Sequence, residues 1–121
     1  MKFEEIVRRV GQRAGIADRF EAEKVTVMVV QTLCERLSGK EANDLLAQLP
    51  SALRELVAVN PSQLPLTVDA FIHRIAERVD VTEEQARVYA RAVFATLREA
   101  VTRGELQDVV AELDPEYADL L

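Results

Sequence analysis

The stretch RLSGKEANDLLAQLPSALREL, Arg36–Leu56, returns 64 residues later as AVTRGELQDVVAELDPEYADL, Ala100–Leu120. This recurrence decides how the chain is read, because a sequence that repeats at a fixed shift repeats a structural unit. The same shift superimposes Ala22 on Ala86, Val29 on Val93, Thr32-Leu33 on Thr96-Leu97 and Glu35 on Glu99. It also pairs Glu41 with Glu105, Asp44 with Asp108, Ala47 with Ala111, Leu49 with Leu113, and Leu56 with Leu120. Upstream, a shift of 65 aligns Ile6, Val7, Val10 and Ile16 with Phe71, Ile72, Ile75 and Val81, so the first half holds one extra residue near Ala17 to Glu21.

Each half reads as four helices. The first carries Phe3, Ile6, Val7, Val10 and Ala14 on one face, and its counterpart carries Val68, Phe71, Ile72, Ile75 and Val79. Both follow the i, i+3, i+4, i+7 spacing of a one-sided helix. Thr67 is the expected N-cap of the second of these, with Asp69 at the positive end of the helix dipole. The long helices are expected over Arg19–Leu37 and Glu83–Val101, with capping starts at Asp18/Glu21 and Thr82/Gln85. The run VTVMVV, Val25–Val30, is rich in β-branched residues that favour strands. No Gly or Pro interrupts Glu21–Leu37, however, and length assigns it to helix.

Gly39 and Gly104 read as stops that end the long helices through a left-handed turn. A third helix, about Lys40 to Gln48, places Ala42, Leu45, Leu46 and Leu49 where the second half has Leu106, Val109, Val110 and Leu113. A short fourth helix follows, and in the second half Asp114-Pro115 is an expected N-cap with proline at the first helical position. The segment AVNPSQLPL contains Pro61 and Pro65 and is expected to be irregular. A unit of about 55 residues has a marginal core by itself. The expectation is therefore an all-α fold: a tandem duplication of a four-helix unit, packed as one pseudo-twofold bundle. Residues 1–121 form one domain, with repeats 1–57 and 67–121 joined by linker 58–66.

Composition narrows the function classes. With 49% hydrophobic and 30% charged residues, the chain has the profile of a globular helical protein. Cys34 is the single cysteine and cannot form an internal disulfide, so a reducing, cytoplasmic setting is expected. The start MKFEEIVRRV lacks the apolar core of a signal peptide, and no apolar run approaches the roughly 20 residues of a membrane span. The first 60 residues balance nine bases against nine acids, whereas residues 61–121 carry six bases against twelve acids. The acidic end, with Asp108, Glu112, Asp114, Glu116 and Asp119, argues against nucleic acid and anionic membrane as partners and is read first as a solvated face.

Candidate chemistry is sparse. His73 has one carboxylate at i+4, Glu77, and no second His or Cys with which to build a zinc site. Cys34 lies in the C-terminal half of a helix, which disfavours the thiolate. The acidic tail lacks the spaced oxygen series of an EF-hand, and no glycine-rich phosphate loop or nucleophile–base constellation occurs. Arg74, Arg78, Arg87, Arg91, Arg98 and Arg103 have Glu77, Glu83 and Glu99 at helical neighbour distance to compensate them. No catalytic, cofactor or metal residue is expected. One difference between the halves stands out: Val27, Val30 and Cys34 face Arg91, Phe94 and Arg98 in the alignment. The wider apolar arc of the first long helix means either a more central place in the monomer or a strip for a partner or a second copy.

An N-terminal FEEIVRRV helix, a long helix ending in LCERLSGKEANDLLAQLP, and a second unit ending in LREAVTRGELQDVVAELDPEY together resemble the bacterial family catalogued as domain of unknown function 2267. The resemblance covers essentially the whole chain and implies an all-helical, tandemly duplicated, cytoplasmic protein without an established activity. The second half departs from the pattern, with Arg103-Gly104 for Gly39-Lys40 and Asp114-Pro115 for Pro50-Ser51. The expected function is non-enzymatic, a helical protein–protein interaction or accessory protein. The alternative is a binder of a small or apolar ligand in a pocket between the two repeats.

Overall fold

The computed structural model describes residues 1–59 and 63–121, so Pro61 of the expected linker lies outside the described residues. Seven α-helices and a closing 3-10 helix follow in order: α1 (Phe3–Ala14), α2 (Arg19–Arg36), α3 (Gly39–Ala47), α4 (Ser51–Arg54), α5 (Val68–Val79), α6 (Glu83–Ala100), α7 (Arg103–Glu112) and the 3-10 helix Pro115–Leu120. All elements among the described residues are helical, and VTVMVV lies wholly inside α2. The ranges of α5 and α6 are those of α1 and α2 moved by 65 and 64 residues.

Each first helix ends in the left-handed region that relieves the last carbonyls. At α1 the residue is Gly15, φ 71°; at α5 it is Asp80, φ 56°, the single non-glycine residue with positive φ among the described residues. Thr67 and Thr82 cap their helices as expected, and Thr82 with Gln85 forms a reciprocal capping box. Asp18 accepts from Phe20 N–H alone, without a returning bond from Glu21.

The expected glycine stops are a correction. Gly39 and Gly104 lie inside the first turns of α3 and α7, and neither has positive φ. The long helices end instead at the extended residues Leu37 and Val101, and Ser38 and Thr102 begin the next helices as N-caps. An N-cap needs extended dihedrals, so leaving one helix and capping the next is a single backbone event.

Packing crosses between the halves. α1 lies against α2 and α6, and α5 lies against α6 and α2, so exchanging the halves reproduces the same set of neighbours. Ile6, Val10, Phe71, Ile72 and Ile75 are fully buried in this layer, at roughly 1.5–3 kcal/mol for each large side chain. The polar contacts cross as well. Arg9 and Arg13 reach Glu99 on α6 at 3.1 and 2.7 Å, while Arg74 and Arg78 reach Glu35 on α2 at 3.7 and 2.8 Å. Arg13 donates to Thr96 Oγ1 and Arg78 to Thr32 Oγ1, each at 2.9 Å. The partners of Arg74 and Arg78 are therefore not Glu77 and Glu83 on the same surface but a carboxylate held by the other half.

The closing 3-10 helix fills the end of the bundle. Tyr117 is fully buried, packs edge-on against Phe71 at 5.4 Å and donates its hydroxyl to the Leu66 carbonyl at 2.7 Å. Asp114 is extended, as a cap should be, but makes no side-chain cap; its carboxylate lies 3.5 Å from the buried Arg36 guanidinium.

Candidate functional site

Val27, Val30 and Cys34 are inside the chain's own core, with 8%, 0% and 1% of their surface exposed. Of the two expectations for this arc, the burial is that of a central place in the monomer; on the same face, one turn from Val27, Gln31 binds the main chain of Ala58 through both its amide atoms, at 2.8 and 2.9 Å. Further along, Leu64 N–H donates to the Glu35 carbonyl at 2.9 Å. Ala58 and Leu64, from the chain between the halves, are thus both held against α2. Burial pushes the Cys34 thiol up to about 12, with Glu35 adding to the effect, so the sulfur is held protonated and inert. His73 is exposed, 3.0 Å from Glu77 and 3.9 Å from Glu83.

The acidic tail is only partly a solvated face. Glu112 accepts from the Ser38 amide and hydroxyl, both at 2.7 Å, and Glu116 accepts from Val68 N–H at 3.2 Å. With Asp114 on Arg36, three of the five acids fasten the end of the chain to other elements.

The apolar concavity lies within the first half. A groove of about 420 Å³ runs between α1 and the start of α2, lined by Val7, Gly11, Ile16, Ala17 and Ala22 together with Glu4, Arg8, Gln12 and Arg19. Gly11 permits this shape: a Cβ there would stand 3.0 Å from the Ile16 carbonyl oxygen, where Ile16 N–H returns to the Gly11 carbonyl. Phe20, adjacent to Arg19, is 76% exposed. The corresponding place in the second half, about 350 Å³, is ringed by His73, Glu77, Asp80 and Glu83 around Ala76 and Val81. The extra residue of the first half, between Ala17 and Glu21, falls at the mouth of the apolar groove, and Phe20 stands where the second half has Glu84. Sequence reading located the extra residue but not the exposed phenylalanine beside it.

A second arrangement joins the halves at α3 and α7. These helices run antiparallel and exchange caps. Ser38, which begins α3, is held by Glu112 at the end of α7; Thr102, which begins α7, donates its N–H to Gln48 Oε1 at 2.8 Å and accepts from Gln48 Nε2 at 3.2 Å. In a capping box the acid three residues after the cap would bind the cap's own N–H. Here those amides are taken by the opposite helix, and Glu41 and Glu105 are displaced from that role. Their carboxylates meet between the helices with Asp108, oxygens of all three lying within 4.8 Å of one another. Glu41 and Glu105 are each 7% exposed, and Oε1 of each has no hydrogen-bond partner. Burial, then the Glu41 carboxyl beside it, pushes Glu105 up to about 7. The pairings of Glu41 with Glu105 and Asp44 with Asp108 are visible in the repeat, but their convergence depends on α3 meeting α7.

No helix among the described residues is long and apolar enough to cross a membrane. No curated protein matches the chain. The profile of a family described as uncharacterized conserved protein matches residues 3–120, which takes in both long helices, the groove and the α3–α7 junction. On that match the chain belongs to the DUF2267 family.

Proposed function

We propose that the protein is non-catalytic and acts by binding another protein through the groove between α1 and the start of α2. The observation that carries this reading is the groove itself, with Val7, Gly11, Ile16, Ala17 and Ala22 in its lining; Phe20, 76% exposed, follows the lining residue Arg19 in sequence, near the place where the first half is one residue longer. Apolar depressions and large aromatic side chains left in water both suit contact surfaces, because covering them returns the transfer free energy that folding did not collect. With two bases, Arg8 and Arg19, against one acid, Glu4, the lining suits a partner segment that presents an apolar anchor with acids beside it.

A non-enzymatic role is supported by the inert Cys34 and by His73, whose exposed ring is matched with carboxylates of its own half. The acid excess of the second half makes nucleic acid an unfavourable partner, and a reduced buried thiol suits a cytoplasmic setting. The matched helix ranges and crossed contacts support a tandem duplication as the origin of the fold. The alternative, an apolar ligand between the halves, has weaker support: the concavity there is lined by Arg36, Gln63, Leu64, Pro65 and Asp114 and contains an ion pair.

The test is affinity capture from the native cell with the wild-type chain and with Phe20→Glu and Ala17→Glu, both at exposed positions. Partners retained by the wild type and lost from both variants, at unchanged helicity, support the reading. An identical capture set, or a saturable small molecule in place of any protein, overturns it.

A further inference from the structure

The geometry points to a divalent-cation site formed by Glu41, Glu105 and Asp108 where α3 meets α7. Two carboxylates are nine-tenths buried here, each with an oxygen that no donor among the described residues satisfies. An unsatisfied buried carboxylate oxygen is costly, and two facing one another add repulsion. Lys40, adjacent to Glu41 in sequence, does not resolve this: its ammonium pairs with Asp44 at 2.9 Å and its side chain is 85% exposed.

Three oxygens within 4.8 Å of one another can lie on one coordination sphere, because ligands about 2.3–2.6 Å from a central ion stand at most about twice that distance apart. Separations up to that limit suit calcium better than magnesium, whose shorter bonds, about 2.0–2.1 Å, demand a tighter set of ligands. An all-carboxylate set also favours hard cations over zinc or copper. Asp108 is exposed and leaves one side of the ion to water, while the crossed caps at Ser38 and Thr102 fix the two helix starts that carry Glu41 and Glu105. A bound ion would tie the third helix of one half to its counterpart in the other.

The test is calorimetric titration of the full chain, freed of metal by a chelator, with CaCl₂ and MnCl₂ at pH 7.5, alongside thermal unfolding. The expected result is one saturable site per chain, a raised Tm in its presence, and at least tenfold weaker binding in both Glu105→Gln and the exposed Asp108→Asn. Glu84→Gln, on a remote exposed acid, should bind as the wild type does. Absence of saturable binding overturns the proposal, as does equal binding by wild type and both site variants. So does a metal-free chain whose Tm rises from pH 8 to pH 5 while added cation has no effect, because protonation of Glu105 would then account for the buried pair.

Discussion

α2 and α6 are helices of the same length in corresponding places, yet they meet water differently. α2 buries Val27, Val30, Cys34, Glu35 and Arg36 in addition to its core-facing row, whereas α6 exposes Arg91, Arg98 and Glu99. The difference arises outside the helices. Ala58 and Leu64 are held to α2 through Gln31 and the Glu35 carbonyl, while α6 receives the chain end, whose carbonyls at Asp119 and Leu121 are bound by Arg91 and Arg98 at 3.0 Å. An apolar arc in one half and a basic one in the other are two solutions to two coverings. A wide apolar face on a helix is therefore evidence about its neighbours before it is evidence of a partner.

The strongest way to break this comparison is to give α2 the residue of α6. Val27→Arg puts a charge at a buried position and should cost about 4 kcal/mol in urea unfolding, whereas Arg91→Val at an exposed position of α6 should cost less than about 1 kcal/mol. Similar losses in the two variants would contradict the account of the covering.

Next come the crossed carboxylates. The Glu35 side chain is 11% exposed and that of Glu99 38%. Glu35→Ala leaves Arg78 and Arg74 without their buried partner and should cost about 3 kcal/mol, with a smaller loss for Glu99→Ala, both read from chemical denaturation.

The pH dependence sharpens the contrast further. Hydrogen bonds from Arg13 and Arg9 hold the Glu99 carboxyl down at about 2, so its contribution is present above about pH 4.5 and disappears as the pH falls toward 2. Glu105, raised to about 7, acts in the opposite sense: in metal-free buffer, stability declines as pH rises from about 4.5 through 7. Thermal unfolding across pH should show both slopes, with Glu99→Gln removing the acid one and Glu105→Gln the alkaline one.

The smallest expected effect is that of Gln31→Ala, about 1 kcal/mol for the lost contacts to Ala58. It should also raise the rate at which Cys34 is alkylated in the folded chain, since Ala58 is no longer fixed beside that face.

Helix order, the helical fate of VTVMVV and the correspondence of the halves were legible because periodicity and capping residues are local signals. The Ser38 and Thr102 caps were equally local, but the adjacent Gly39 and Gly104 drew the reading toward a left-handed stop. The crossed pairs Arg13–Glu99 and Arg78–Glu35 were half visible: Glu35 and Glu99 coincide under the repeat, while which helix supplies the arginine is settled only by packing. Phe20 and the Glu41–Glu105 meeting were not legible. The exposure of one aromatic and the approach of two residues 64 positions apart depend on how helices are arranged, and no spacing along one helix encodes that.

The central claim is that the crossed contacts make the two halves one cooperative unit. Native-state hydrogen exchange in graded denaturant measures this directly, through the amides of Val29–Leu33 on α2 and Val93–Leu97 on α6. The account predicts that both sets exchange only by global opening, with the same free energy and the same dependence on denaturant. If one helix opens at low denaturant while the other stays protected, the halves fold separately and the account is contradicted.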